Sequence, residues 1–215
     1  MSNSKKPLLL PIGVPKIPYR LPGEEDDTWV DLYNVLYRER NIFLMQEIQD
    51  EITGQILGIL TNIQIEEGED KSPIHVFINS PGGSIFSGLG IYDSMLGVDP
   101  PISTYCMGLA ASMATIILLG GDPSERLLAP NSRLMIHQPV TAYYDGQAGE
   151  CAIEAGEILR MRDQVSKIYR QQTGKFPWEI GYHLERDLFL SPHEAISYGL
   201  ADAISYDLPY IDIDF

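Results

Sequence analysis

This sequence predicts an α/β fold built on a largely parallel sheet, and three observations lead there. Short apolar runs alternate with longer amphipathic stretches from Asn41 onward, the order that puts crossover helices between parallel strands. Ser80-Pro81-Gly82-Gly83, Pro100-Pro101 and Gly120-Gly121 separate those runs and mark where the chain turns. A length of 215 residues with 44% apolar and 21% charged content suits one full-sized domain with a substantial core, and sets aside disordered and collagen-like chains.

Taken in order, the opening is rich in proline and closes on Gly23-Glu24-Glu25-Asp26-Asp27. That composition predicts an extended N-terminal arm over residues 1–27. Asp50 to Glu66 carries Ile52, Ile56, Ile59, Leu60 and Ile63 near helical spacing, and is expected to be the first core helix. Ile74 to Asn79 reads as a buried strand ending in Ser80-Pro81-Gly82-Gly83, with a helix from about Ser87 to Leu96 after it. Ile102 to Met107 supplies the next strand, and a helix opens near Ser112 and stops at Gly120-Gly121.

Arg133 to His137 is a further short strand, whereas Gln138 to Gly146 has no periodicity. Glu150 to Thr173 is a long amphipathic helix, with Ile153, Ile158, Met161, Val165, Ile168 and Tyr169 as its apolar stripe and Gly174 as its stop. Pro177-Trp178-Glu179 opens another helix, and Asp187 to Leu190 is a strand. Ser191-Pro192 supplies an N-cap and first helical residue for the helix carrying Glu194 and Ala195.

Thirty acids against 15 bases give a formal charge of −15, which disfavours a nucleic-acid partner because phosphate neutralisation needs a basic face. Cys106 and Cys151 are the only cysteines, too few for a disulfide framework or a thiolate zinc site. They suit a reducing compartment. No apolar run is long enough to span a membrane, and the Met1-Ser2-Asn3-Ser4-Lys5-Lys6 start lacks the features of a secretory or transit signal. A protein made in the compartment where it works is the expectation.

Ser112 lies where a strand gives way to an apolar helix, beside the small Ala110 and Ala111. There a hydroxyl sits near backbone N–H groups that lack helical partners and are able to stabilise a developing oxyanion. A plain N-cap or packing residue is the other reading. His137 closes an apolar strand and is one of four histidines, with His75 mid-strand and His183 and His193 in stretches that read as exposed helix. It is the best-placed candidate base, a satisfied structural histidine being the alternative.

An orienting acid cannot be picked from 30 by composition. Asp187 stands at a strand edge, a rigid place for such a group, yet beside Arg186 it reads equally as a paired surface acid. Gly82-Gly83 permits close backbone approach and a second oxyanion donor, or an ordinary turn. GxSxG, Walker A and HExxH motifs are absent, and Gly88-Leu89-Gly90 fails the dinucleotide pattern because Asp93 holds its last position.

Five blocks in one order carry a resemblance. They are Phe77-Ile78-Asn79-Ser80-Pro81-Gly82-Gly83, Ile91-Tyr92-Asp93-Ser94-Met95, Cys106-Met107-Gly108-Leu109-Ala110-Ala111-Ser112-Met113, Arg133-Leu134-Met135-Ile136-His137-Gln138-Pro139 and Glu185-Arg186-Asp187-Leu188-Phe189-Leu190-Ser191. Together they resemble the ClpP family, the proteolytic subunits of the ATP-dependent Clp protease. The resemblance extends from about Trp29 to Ile204, and the Leu10-Pro11-Ile12-Gly13-Val14-Pro15-Lys16 opening is similar to the plastid-encoded branch.

The resemblance implies a crotonase-like α/β head over residues 28–205 with a helical handle at about 138–174, an ATPase-facing arm over 1–27 and a tail over 206–215. It implies Ser112 as nucleophile, His137 as base and Asp187 as orienting acid, with the backbone N–H groups of Gly83 and Met113 as oxyanion donors. It further implies a serine endopeptidase in stacked heptameric rings, a tetradecamer of one subunit type or of several. Unfolded proteins would be fed in by a separate Hsp100/AAA+ unfoldase, ClpC- or ClpX-like, which alone uses ATP. No cofactor, metal, nucleic acid or membrane is expected, and the chloroplast stroma is the expected location, a cyanobacterial cytoplasm the alternative.

Two other functions stay open at this point: a structural subunit of a mixed ring with little activity of its own, and a crotonase-type acyl-CoA enzyme. The chain departs from bacterial members at Leu109, where glutamine is common, and at Thr141-Ala142-Tyr143-Tyr144, where they have a glycine-rich turn. His75 replaces an aromatic residue on the face that docks the ATPase, beside Phe77, which keeps that character.

Overall fold

The structure, a computed structural model, describes residues 13–20, 27–66, 72–139 and 147–207. The Thr141-Ala142-Tyr143-Tyr144 turn, most of the expected tail and much of the expected arm lie outside them. The chain divides into two compact units, one running to Glu39 and one from Arg40 onward.

In the first unit, strands β1 (Lys16–Tyr19) and β2 (Thr28–Asp31) pair antiparallel, and helix α1 (Leu32–Arg38) follows directly. The Leu32 N–H donates to the Pro15 carbonyl at 3.0 Å, and Tyr33 stacks on Tyr37 one turn later at 6.2 Å between ring centroids. Of the proline-rich opening, Lys16–Tyr19 is extended and paired with β2, and the unit carries past residue 27 to take in α1.

The second unit runs in chain order through β3 (Asn41–Leu44), α2 (Asp50–Glu66), β4 (Ile74–Ser80), α3 (Ile85–Gly97), β5 (Ile102–Ala111), α4 (Met113–Leu118) and β6 (Arg126–Leu128). It continues through β7 (Arg133–Ile136), α5 (Ala148–Thr173), α6 (Pro177–Leu184), β8 (Leu188–Leu190), α7 (Pro192–Tyr198) and β9 (Ala203–Ile204). Local chemistry sets several boundaries. Gly174, at φ 70°, ends α5 in the left-handed conformation that glycine adopts without strain, and Ser191 with Glu194 forms a reciprocal capping box at α7.

The sheet order is β3-β4-β5-β6-β9, every pair parallel, so the expected parallel α/β fold is present. One pair departs from it: β8 runs antiparallel to β7, which itself pairs parallel with the end of β5. Strands β6 and β9 were not legible in the sequence, since runs of 3 and 2 residues are too short to show alternation.

Strand β5 reaches Ala111, well past the Met107 that the apolar pattern suggests. Ile78 of β4 lies opposite Cys106, but Ser80 lies opposite Ala110, so β5 carries extra residues at this point. The Asn79 side chain accepts the Leu109 N–H at 3.1 Å, and Gly108 takes φ 104°. This bulge bends β5 and sends its last residues to pair with β7 instead of β6. Behind the bend, Met113, Ala114, Thr115, Ile116, Ile117 and Leu118 are all buried, so α4, with Thr115 its one polar side chain, is enclosed by core on every side.

Candidate active site

Strand register assembles the site. Ala111 of β5 is aligned with Met135 of β7, and the Ser112 N–H donates to the Met135 carbonyl at 2.8 Å, so Ser112 and His137 leave the sheet at the same end. Ile136 of β7 is aligned with Leu188 of β8, and one step further along that antiparallel ladder His137 faces Asp187. Residues 25 and 50 positions apart thereby come within hydrogen-bonding reach.

Ser112 Oγ lies 2.9 Å from His137 Nε2, and His137 Nδ1 lies 3.1 Å from Asp187 Oδ1. The carboxylate accepts the Nδ1 proton, which leaves Nε2 with a lone pair aimed at the serine hydroxyl. The His137 side chain is 22% exposed and that of Asp187 is 61% exposed. The ring is partly desolvated while the acid meets solvent in the isolated chain.

Ser112 holds the N-cap position of α4, but its hydroxyl makes no capping hydrogen bond. Its backbone takes φ 54° and ψ −124°, a region that costs a non-glycine residue roughly 1–3 kcal/mol. The turn lifts the hydroxyl toward His137 and away from the helix it precedes. Thr115, one turn into α4, donates its N–H and its hydroxyl to the Ser112 carbonyl at 3.0 and 2.6 Å. The Thr115 hydroxyl lies 2.6 Å from that of Tyr169.

The Gly82-Gly83 turn abuts the serine. At Gly82, φ 94°, an added Cβ would stand 2.7 Å from the Ala111 carbonyl oxygen and 2.8 Å from Ser112 Cβ, so only glycine permits this approach. Ile48 straps the turn from the other side, its N–H donating to the Gly82 carbonyl at 2.8 Å and its carbonyl accepting the Ser84 N–H at 2.9 Å. In that parallel bridge the Gly83 N–H points away from Ile48, and the Met113 N–H lies 3.2 Å from the position a Gly82 Cβ would take. The two expected oxyanion donors therefore belong to adjoining turns.

The other candidates are elsewhere. His75 is half-buried on β4, its Nδ1 without a hydrogen-bond partner among the described residues, and burial pulls its pKa below the ordinary value. His183 is not exposed, as the sequence suggested, but partly buried, with Nδ1 at 2.9 Å from the Tyr198 hydroxyl. His193 is exposed on α7. Cys106 is buried, and burial pushes its thiol up to about 12, which keeps it protonated and unreactive. Thr115 and Tyr169 are the polar residues near the serine that sequence reading passed over. Tyr169 sat in an apolar stripe, and the only signal was that a buried phenol needs a partner for its hydroxyl.

Among the described residues no group of three or more histidine, cysteine, aspartate or glutamate side chains could hold a metal ion, and no helix is long and apolar enough to cross a membrane.

Fold and site together define a class: α/β proteins in which a serine on a strained turn is hydrogen-bonded to a histidine–aspartate pair. Comparison with known proteins narrows it. The family model described as Clp protease matches residues 23–207. The ATP-dependent Clp protease proteolytic subunit of Adiantum capillus-veneris is 50% identical over 198 residues, covering 92% of this chain and 98% of that protein. Those of Marchantia polymorpha and Psilotum nudum are each 51% identical over 199 residues, covering 92% of this chain and 97% and 99% of theirs. The chain belongs to the Clp protease family, a family of serine peptidases, and these relatives come from plastid-bearing organisms.

Proposed function

We propose that this chain hydrolyses peptide bonds as a catalytic subunit of the ATP-dependent Clp protease, with Ser112 as nucleophile, His137 as general base and Asp187 as the acid that orients it. The observation that carries the assignment is the unbroken line of hydrogen bonds from Ser112 Oγ through His137 to Asp187, at 2.9 and 3.1 Å. As Ser112 Oγ attacks the scissile carbonyl, its proton passes to His137 Nε2, and the Asp187 carboxylate stabilises the imidazolium. The carbonyl oxygen becomes an oxyanion facing the N–H groups of Gly83 and Met113. His137 then protonates the leaving amine, and the acyl group on Ser112 is released by a water that His137 deprotonates.

Every step uses side chains and backbone of this chain, so no cofactor enters. The substrates are protein chains unfolded and delivered by a separate Hsp100-type ATPase, which accounts for ATP dependence in a subunit without a nucleotide motif. The subunit works in stacked heptameric rings, alone or with other Clp subunits, in the chloroplast stroma.

A fluorophosphonate probe tests the assignment. Peptide mass spectrometry should find the adduct on Ser112, and Ser112→Ala should remove it. An assembled sample with no adduct on Ser112 would overturn the assignment in favour of a structural subunit that depends on its ring partners for activity.

A further inference from the structure

We propose that Tyr169, on α5, is a positioning residue for the oxyanion site, acting through Thr115. The inference rests on the proposed roles of Ser112 and Met113 and adds a residue that touches neither substrate nor triad. Thr115 has one hydroxyl proton and spends it on the Ser112 carbonyl at 2.6 Å. The 2.6 Å contact between Thr115 Oγ1 and the Tyr169 hydroxyl must then use the tyrosine's proton. Burial raises the Tyr169 phenol above its ordinary range, so it stays a donor. The line runs from Tyr169 to Thr115 to the carbonyl of Ser112.

That carbonyl shares a peptide plane with the Met113 N–H, and the plane is rigid. Whatever fixes the Ser112 carbonyl therefore aims the Met113 N–H. Thr115 and Tyr169 are 0% and 1% exposed, so water does not replace either hydroxyl, and a lost donor leaves a buried oxygen without its partner. The plane also needs holding, because Ser112 sits at φ 54°, where relaxation toward an ordinary conformation would turn the N–H away. A misaimed donor is felt where negative charge develops, so the effect belongs to the transition state and not to substrate binding.

The test uses the assembled protease and a short fluorogenic peptide, with assembly checked by native mass spectrometry. Tyr169→Phe should lower kcat about fivefold with KM held within about twofold. Thr115→Val should lower kcat about tenfold or more, and Thr115→Ser, which keeps the hydroxyl, should recover most of it. Adding Tyr169→Phe to Thr115→Val should cost nothing further, since the line is already broken. An unchanged kcat in Tyr169→Phe overturns the proposal, as does a loss carried by KM or by disassembly. If Ser112→Ala in the same preparation keeps full activity, the nucleophile assignment fails and this proposal with it; if Ser112→Ala is inactive while Tyr169→Phe is unaffected, only this proposal fails.

Discussion

Helix α4 has six residues and all are buried, whereas α5 has 26 residues, of which Val165 and Tyr169 are the buried apolar ones among those described. Ile153 and Leu159, further toward the start of α5, are 74% and 62% exposed. The two helices answer to different constraints. A helix enclosed on every side cannot shift without opening the core, which suits the element that follows the strained turn at Ser112. A long helix docked only by its last turns leaves apolar side chains for other chains to cover, which suits the ring assembly proposed for the family.

Charge repeats the contrast. Arg126 and Asp202 join β6 to the segment before β9 through bonds from the guanidinium at 2.8 and 2.5 Å, with side chains 11% and 22% exposed. Arg160 and Glu157 on α5 lie 2.7 Å apart but are 78% and 48% exposed. The first pair lies largely within the second unit's interior, and the second is solvated at both ends.

The strongest way to test this division is at the serine. Ser112→Ala should lower peptide hydrolysis about a thousandfold or more while leaving the unfolding temperature and assembly unchanged; a folding defect would mean that the turn depends on the hydroxyl itself. Next, Ile117→Ala should destabilise the chain by about 3–4 kcal/mol through a cavity that the enclosed helix cannot close. Leu159→Ala should stay within about 0.5 kcal/mol, and equal effects in thermal unfolding would erase the contrast.

Asp202→Ala strands the Arg126 guanidinium in the interior and should cost about 3 kcal/mol, against less than about 0.5 kcal/mol for Glu157→Gln. The Asp202 pair also carries a pH signature. Burial alone would raise the Asp202 carboxyl, but hydrogen bonds and charge from Arg126 outweigh it and hold the pKa below its ordinary 3.8. Because the folded-state pKa is depressed, the contribution is complete above 3.8 and is lost as pH falls through the folded value. Denaturant titrations in acid should therefore show a slope that Asp202→Asn flattens.

Element order, most boundaries and the caps at Gly174 and Ser191 were legible because they rest on local signals: apolar spacing, a glycine stop, a serine followed by a proline at a helix start. Ser112 and His137 were legible as candidates for the same reason, each closing an apolar run. Asp187 was not separable from the other acids without the family resemblance, because its role depends on a partner 50 positions away. The bulge in β5 opposite Asn79 and the antiparallel pairing of β8 were likewise invisible, since a strand's own residues do not say which neighbour it pairs with or in what register.

By itself, then, the sequence determined an α/β chain with its helices from α2 onward and its longer strands in order, a serine and a histidine at strand ends and, through its resemblance, a family. Tertiary structure alone decided that β5 bends to meet β7, that β8 reverses against β7, and that Ser112 takes a positive φ. Those are outcomes of non-local pairing and packing, and they set the distances on which the chemistry depends.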